Sequence, residues 1–522
     1  MKLSDHDLRQ LDEARLDQLS EADLRAVSRS LLADLKEARD RLNRTPSNSS
    51  VPPSSRPVWA KPATIEAAEE ELVEVGAAEP TTPAADTADE APPSAPPAGQ
   101  PSPGRKPGKQ PGAPGHGRTQ KLVIDQAIDH RPDRCALCAR ILDADAPAVA
   151  FTGWDEIDVA ELPDGNAGLK LQVIRHRLYE ITCPCGHHTR ASVYRGEDHG
   201  LWDQVEICEW RLVGARLAAL IVYLKQTMRL SYRLIREFLW DLLGLHLSLG
   251  TLDQTVRESA RAAEALEAPL MAEIRQAALV YADETPWPES ALVLYLWVLM
   301  STQTVVYLIG PRSREIPANA LGEDFAGWLM SDGYSVYRAW RRRLRCWAHL
   351  LRKAQGLSDS TDAGVAAIGQ ALLDSLSGLM DAIYAARAAN PEPGSLMASQ
   401  ADALERLKTQ CETHRDSSHP ALRAFSRELL YDWEAIMRPV EDPLLPLTNN
   451  AAESALRPAV IQRRLMGGTR CESGSRSFAL LASVMATCRR RGASAWRYLA
   501  TVIAAARKGL AIPALPPAMA PA

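Results

Sequence analysis

The sequence predicts a multi-domain protein of mixed α and α/β type, and three observations carry that expectation. At 522 residues the chain is long enough for about three or four domains. Its composition, 46% apolar and 24% charged, is ordinary for a globular protein with a sizeable core. The third observation is an ordered set of apolar runs that starts at Leu279–Trp287 (LVYADETPW). Leu279, Val280 and Tyr281 read as a strand that delivers Asp283 and Glu284 before a turn at Pro286. Leu292 to Met300 and Thr304 to Ile309 follow as antiparallel strands, with a polar break at residues 301–303. After a helix-length interval, Phe325 to Met330 forms a further run that ends at Asp332 and Gly333. That order is the order of a ribonuclease-H-like fold, in which strands one and four are neighbours. Asp283 and Asp332 are then placed to share a divalent metal.

From the N-terminus, residues 1–44 read as helices with a break at Leu19-Ser20. Ser20 with Asp23 is a capping signal, and Leu24, Val27, Leu31, Leu35, Ala38 and Leu42 recur on one face. That stripe suits either a short coiled coil between protomers or packing on the protein's own body. Residues 45–120 are dominated by Pro, Ser, Ala and Gly and read as a disordered linker. Within it, residues 61–100 hold nine Asp/Glu against one Lys, a local charge of −8, so the formal −5 of the whole leaves +3 elsewhere. A mildly basic body and the basic segment Gly104 to Thr119 at the linker's end both fit a nucleic-acid partner. With no signal peptide and no apolar run long enough for a bilayer, the expected place is the cytoplasm, without a membrane partner. Nine cysteines in such a chain argue against a disulfide framework.

Residues 121–200 read as a small β-rich zinc domain. Cys135 and Cys138 form one pair, Cys183 and Cys185 a tighter one, and four thiolates from two turns suit a tetrahedral structural zinc ion. His130, His187 or His188 remains an alternative fourth ligand. Residues 205–270 read as helical. Two short helices around Gly244, the second capped by Ser248 or Thr251, suit a helix-turn-helix DNA-binding segment as well as plain helical packing.

The ribonuclease-H-like core is expected at 275–358 and 440–470, with a helical insertion at 359–439 and a helical C-terminal segment at 471–522. Directly after Asp332, Arg338 to Lys353 holds seven Arg/Lys and two tryptophans, and Arg341, Arg342, Arg343 and Arg345 are candidate DNA contacts. Beyond the insertion, Thr448 to Arg464 offers Glu453 as a third acid, with Arg457, Arg463 and Arg464 as further DNA contacts. Asn450 and Glu453 also match a capping box, so a helix cap is the alternative reading of Glu453. In that case Glu434, Glu441 and Asp442 are the nearest alternative acids.

Taken together, these residues resemble the IS66-type transposases. The likeness is carried by Asn48-Ser49-Ser50, Arg105-Lys106-Pro107-Gly108, Gln110-Pro111-Gly112 and the paired cysteines. It continues through Asp283-Glu284-Thr285, Asp332-Gly333-Tyr334, Cys346-Trp347-Ala348-His349 and Asn449-Asn450-Ala451-Ala452-Glu453 with Arg457. The resemblance implies a bacterial DDE recombinase, associated with the nucleoid when bound to DNA. Asp283, Asp332 and Glu453 would be its catalytic residues and its ligands for two Mg²⁺ or Mn²⁺ ions. Its partners would be the terminal inverted repeats and target DNA, with homo-oligomers and accessory proteins of the same element. A nuclease without strand joining, and a non-catalytic zinc-containing DNA-binding protein, are the alternatives.

Overall fold

The computed structural model describes residues 20–42, 122–160, 169–191, 211–389 and 394–517. The expected break at Leu19, the linker and the basic segment at its end lie outside the described residues. The first described element is α1 (Glu21–Leu42), and its start is the expected one: Ser20 Oγ accepts the N–H of Asp23 at 3.2 Å. Its leucine stripe is not buried on the rest of the chain, since Leu24, Leu31 and Leu35 are exposed. The helix is tied down by a polar residue instead, Asp40, which accepts from Ser360 Oγ and the N–H of Thr361.

Two mixed sheets follow. The first contains β1 (Gln126–His130), β2 (Ala148–Val159), β3 (Leu171–Thr182), β4 (His188–Arg190) and β5 (Arg211–Val213). Its order is β1-β3-β2-β5, with β4 on β3. Residues 211–213 were expected to be helical, but they pair in parallel with Asp155–Ile157. Gly214 then turns the chain into a helix at a point where a Cβ would lie 2.3 Å from Asp158 Cγ. The Asp158 carboxylate caps that helix by accepting the N–H of Leu217 at 2.7 Å.

That helix, α2 (Ala215–Gln226), is followed by α3 (Tyr232–Leu243), α4 (Leu249–Ala262) and α5 (Glu267–Gln276). Gly244 at φ +59 ends α3, and Ser248 caps α4 by accepting the N–H of Thr251. The two helices around a glycine turn are therefore present. The second is largely sunk in the core, however, with Leu252, Val256, Ser259 and Ala260 all buried, so beyond its first turn it has little surface to place in a groove.

The second sheet contains β6 (Leu279–Glu289), β7 (Leu292–Met300), β8 (Val305–Gly310), β9 (Trp328–Ser331) and β10 (Arg343–Arg345), with α6 (Glu315–Leu321) between β8 and β9. Its order is β10-β9-β6-β7-β8. The turn expected at Pro286 is absent, and β6 runs on to Glu289 against β7. The reason lies in the direction of the backbone. The carbonyls of Ala282, Pro286 and Pro288 accept from Asn449 Nδ2, the Arg463 guanidinium and the N–H of Thr469. Even-numbered residues thus face away from β7, and a proline there removes no bond from the β6–β7 ladder.

Both faces of this sheet are covered by helices. Val280, Ala282, Trp297 and Leu299 join the core of α2, α4 and α5. Leu296, Val298, Met300 and Tyr307 pack on Ala452, Leu456, Ala459 and Phe478 of α13 (Asn450–Met466) and α14 (Glu472–Arg490). Between β10 and α13 come α7 (Trp347–Ser358), α8 (Ala363–Ala389), α9 (Ser395–Ser399), α10 (Ala401–His414), α11 (Pro420–Tyr431) and α12 (Trp433–Glu441). Contrary to expectation, one helix, α8, is long and apolar enough by length and composition to cross a membrane. Its Leu372, Leu376, Leu379 and Ile383 form the inside of the inserted helical bundle. The last described helix is α15 (Ala495–Arg507).

Candidate active site

β6 and β9 run side by side in parallel, with Leu279, Val280 and Tyr281 opposite Trp328, Leu329 and Met330. Asp283 and Asp332 each lie two residues past the last of these pairs, where the strands part. Asp332 Oδ1 accepts the N–H of Tyr334 at 2.9 Å, which folds the chain sharply after β9. Asp283 shares its side of β6 with Tyr281, Thr285 and Trp287, the side covered by α13. Glu284 points the other way, to Arg312 (2.8 Å) and the Tyr337 hydroxyl (2.8 Å).

Glu453 sits in the first turn of α13, but it does not close a capping box. The helix begins one residue early, with Asn449 as its cap residue and no side-chain cap bond. The Asn449 amide is drawn off to the Ala282 carbonyl of β6 at 2.9 Å, which ties the helix start to the strand that carries Asp283. Glu453 Oε1 has no hydrogen-bond partner and lies 3.7 Å from both Arg352 Nη2 and His349 Nδ1.

Burial and like charge act on the acids at the end of β6. Asp283 is pushed well above the usual carboxylate range, first by burial and then by Asp332, Glu284 and Glu453. Glu284 is also raised by burial and by Asp332, against the pull of Arg312 and Tyr337. Carboxylates crowded this way are hard oxygen donors that fit divalent magnesium or manganese.

The basic run after Asp332 behaves differently from expectation. Arg343 and Arg345 were expected to meet DNA, but both turn inward. Arg345 is 1% exposed and pairs with Asp432 and Glu428, while Arg343 and Arg338 also pair with Asp432. The acids come from α11 and from the break before α12, so the insertion neutralises a cationic strand of the core. The cluster lies against the chain just past Asp332: a Cβ on Gly333 would be 2.7 Å from Arg345 Nη2 and 2.9 Å from Glu428 Oε1. Arg463 is likewise occupied, by the Thr285 hydroxyl and the Pro286 carbonyl. Arg341, Arg342, Arg457 and Arg464 are exposed, and Arg342 lies over the Trp328 ring.

The four cysteines of the N-terminal sheet converge as a metal site would. Cys135 and Cys138 lie in the turn after β1, and Cys183 and Cys185 in the turn between β3 and β4. Cys135 Sγ is 3.6 Å from Cys185 Sγ, and Cys138 Sγ is 3.7 Å from Cys183 Sγ. Sulfurs about 2.3 Å from a tetrahedral zinc ion stand about 3.8 Å apart, so the set fits. Gly186 at φ +85 permits the tight second turn. The N–H of Cys138 foremost lowers Cys135 toward the thiolate, to about 6. The four sulfurs complete a ligand set by themselves, so none of His130, His187 and His188 is needed as a ligand.

Residues 211–477 match a family model described as Transposase IS66 family. The chain belongs to the IS66 transposase family. The matched span begins at β5, ends in α14, and holds Asp283, Asp332 and Glu453; the cysteine cluster precedes it. Among curated proteins, the uncharacterized protein y4jO of Sinorhizobium fredii is 27% identical over 171 residues, 33% of this chain and 50% of that one. The uncharacterized protein y4qI of the same organism is 24% identical over 282 residues, 46% of this chain and 50% of its own length. The IS66 chain thus spans about half the length of these curated relatives. Two residues stand beside its acidic cluster, His349 and Arg352. The sequence signal for His349 is the Cys346-Trp347-Ala348-His349 motif, and Arg352 is a member of the basic run Arg338 to Lys353.

Proposed function

We propose that this chain is a DDE-type DNA transposase with a ribonuclease-H-like core, and that Asp283, Asp332 and Glu453 are its catalytic acids. The observation that carries the reading is the strand order, with β9 parallel to β6 and an acid two residues beyond the shared register on each. The third acid supports it by entering from a helix tethered to the same strand. Two Mg²⁺ or Mn²⁺ ions, when held there, supply Lewis-acid stabilisation of the entering and leaving oxygens of a phosphodiester displacement. The chain's own part is to fix its ligands before DNA arrives. Asp332 is held by its bond to the N–H of Tyr334, and Asn449 holds the start of α13 against β6. Glu284 is held away from the cluster by Arg312 and Tyr337.

In this reading DNA lies along Arg341, Arg342, Arg457 and Arg464, with a structural zinc ion in the cysteine cluster. Protomers associate through α1, whose Leu24, Leu31 and Leu35 are exposed. The reaction is hydrolysis that frees a 3′-OH at an element end, then attack of that 3′-OH on target DNA. The test is Mg²⁺-dependent cleavage of a labelled element end by Asp283→Asn and Asp332→Asn. Both should bind the DNA and fail to cut it; cleavage by either at the wild-type rate would overturn the assignment.

A further inference from the structure

We propose that Cys346, His349 and Glu453 form a binding site for one thiophilic divalent ion of the zinc class, separate from the four-cysteine cluster. Cys346 caps α7, His349 lies one turn into the same helix, and Glu453 enters from the first turn of α13. The Cys346 sulfur, a ring nitrogen of His349 and a carboxylate oxygen of Glu453 all lie within 4.8 Å of one another.

Three features make this more than a chance meeting of side chains. Cys346 is fully buried, and its sulfur accepts the N–H of Asn449 at 3.2 Å, which fixes it facing the start of α13. His349 Nδ1 and Glu453 Oε1 are buried without hydrogen-bond partners, 3.7 Å apart, too far for a bond to each other. Nitrogen and oxygen donors on tetrahedral zinc stand about 3.3–3.6 Å apart, so small side-chain movements close the set. The N-termini of α7 and α13 both converge here and favour the anionic donors.

The donor types select the ion. Thiolate and imidazole suit zinc and poorly suit magnesium, which prefers oxygen. Arg352, the present counter-charge of Glu453, is what the ion would displace. If Glu453 is also the third catalytic acid, a part that rests on the proposed function, a bound zinc-class ion withholds it from magnesium. Zinc would then inhibit strand cleavage by occupying a catalytic carboxylate.

The test uses the full chain with its cysteine cluster filled by zinc, titrated with cobalt(II) and followed by absorption. The wild type should take up one further cobalt, with a sulfur-to-cobalt charge-transfer band in the near ultraviolet. His349→Ala and Glu453→Gln should each weaken that uptake at least tenfold, with melting checked to establish that both fold. No additional band in the wild type, or an unchanged band in folded His349→Ala, would overturn the site. Cleavage assays on the same samples judge the catalytic reading separately. Cobalt uptake together with an active Glu453→Gln would retain the site and overturn inhibition through a catalytic acid. An inactive Glu453→Gln with no cobalt uptake in the wild type would overturn the site and leave the catalytic reading standing.

Discussion

Arg345 is the residue whose surroundings most change its meaning. In the sequence it is one of a row of arginines beside an acid, the pattern of a DNA contact. In the fold it is a buried cation held by Asp432 and Glu428, both brought from far along the chain by the insertion. No local pattern could reveal that, because charge runs do not record which of their members find a partner. Removing one member of a buried pair leaves the other uncompensated, at about 3–5 kcal/mol. Asp432→Asn should therefore lower stability by about that much, while Arg341→Ala, at an exposed member of the same run, should cost far less, as read by denaturant unfolding. Equal losses in the two variants would contradict this. Burial pushes Asp432 up, but Arg343, Arg345 and Arg338 outweigh it and hold the carboxyl below its ordinary value. Glu428 is likewise lowered, with Lys353 and Arg345 outweighing burial. A depressed acid stabilises fully above its unfolded pKa of about 4, and that share is lost as pH falls through the lower folded value. Melting between pH 7 and pH 3 should thus fall less steeply in folded Glu428→Gln than in the wild type.

At the scale of elements, the sequence was most legible where periodicity and turn chemistry agreed. The β7–β8 hairpin, the Ser20 cap of α1 and the helices of the insertion lie close to where their apolar runs place them. It misled where tertiary partners decide. Pro286 reads as a turn, yet it sits in a strand because its carbonyl is taken by Arg463 rather than by the ladder. Residues 211–213 are too short to declare themselves as a strand without Asp155–Ile157 beside them. Glu453 matched a capping box, but Asn449 starts the helix early and spends its amide on β6. The cysteine turns are the opposite case, since their spacing alone announced a cluster that the fold closes. Purified protein should contain about one zinc per chain at that cluster, removed by Cys138→Ser with loss of order in β1–β4. The measurement is metal analysis with hydrogen exchange, on wild type kept free of added zinc-class ions. Zinc-free wild type with a protected first sheet would contradict a structural ion.

On the scale of the whole molecule, two exposed surfaces are assigned work by the proposed function. Leu24, Leu31 and Leu35 of α1 face solvent while Asp40 anchors the helix, so Leu31→Glu with Leu35→Glu should shift the protein to a lower mass in light scattering. An unchanged mass would remove α1 from the contact between protomers. Arg457→Ala with Arg464→Ala should reduce the slope of log affinity against log salt by about 2. Cleavage is where the scales meet, because the proposed function requires the parallel pair of strands, the tethered helix and the third acid at once. The most direct measurement is Mg²⁺-dependent cleavage of a labelled element end by Glu453→Gln, read beside DNA binding, melting and the Glu284→Gln variant. The acid that Asn449's helix delivers should be indispensable: Glu453→Gln should bind and melt like the wild type and cut at least a hundredfold more slowly, while Glu284→Gln keeps more activity than Asp283→Asn. Wild-type cleavage by folded Glu453→Gln would mean that the three acids do not form one catalytic site.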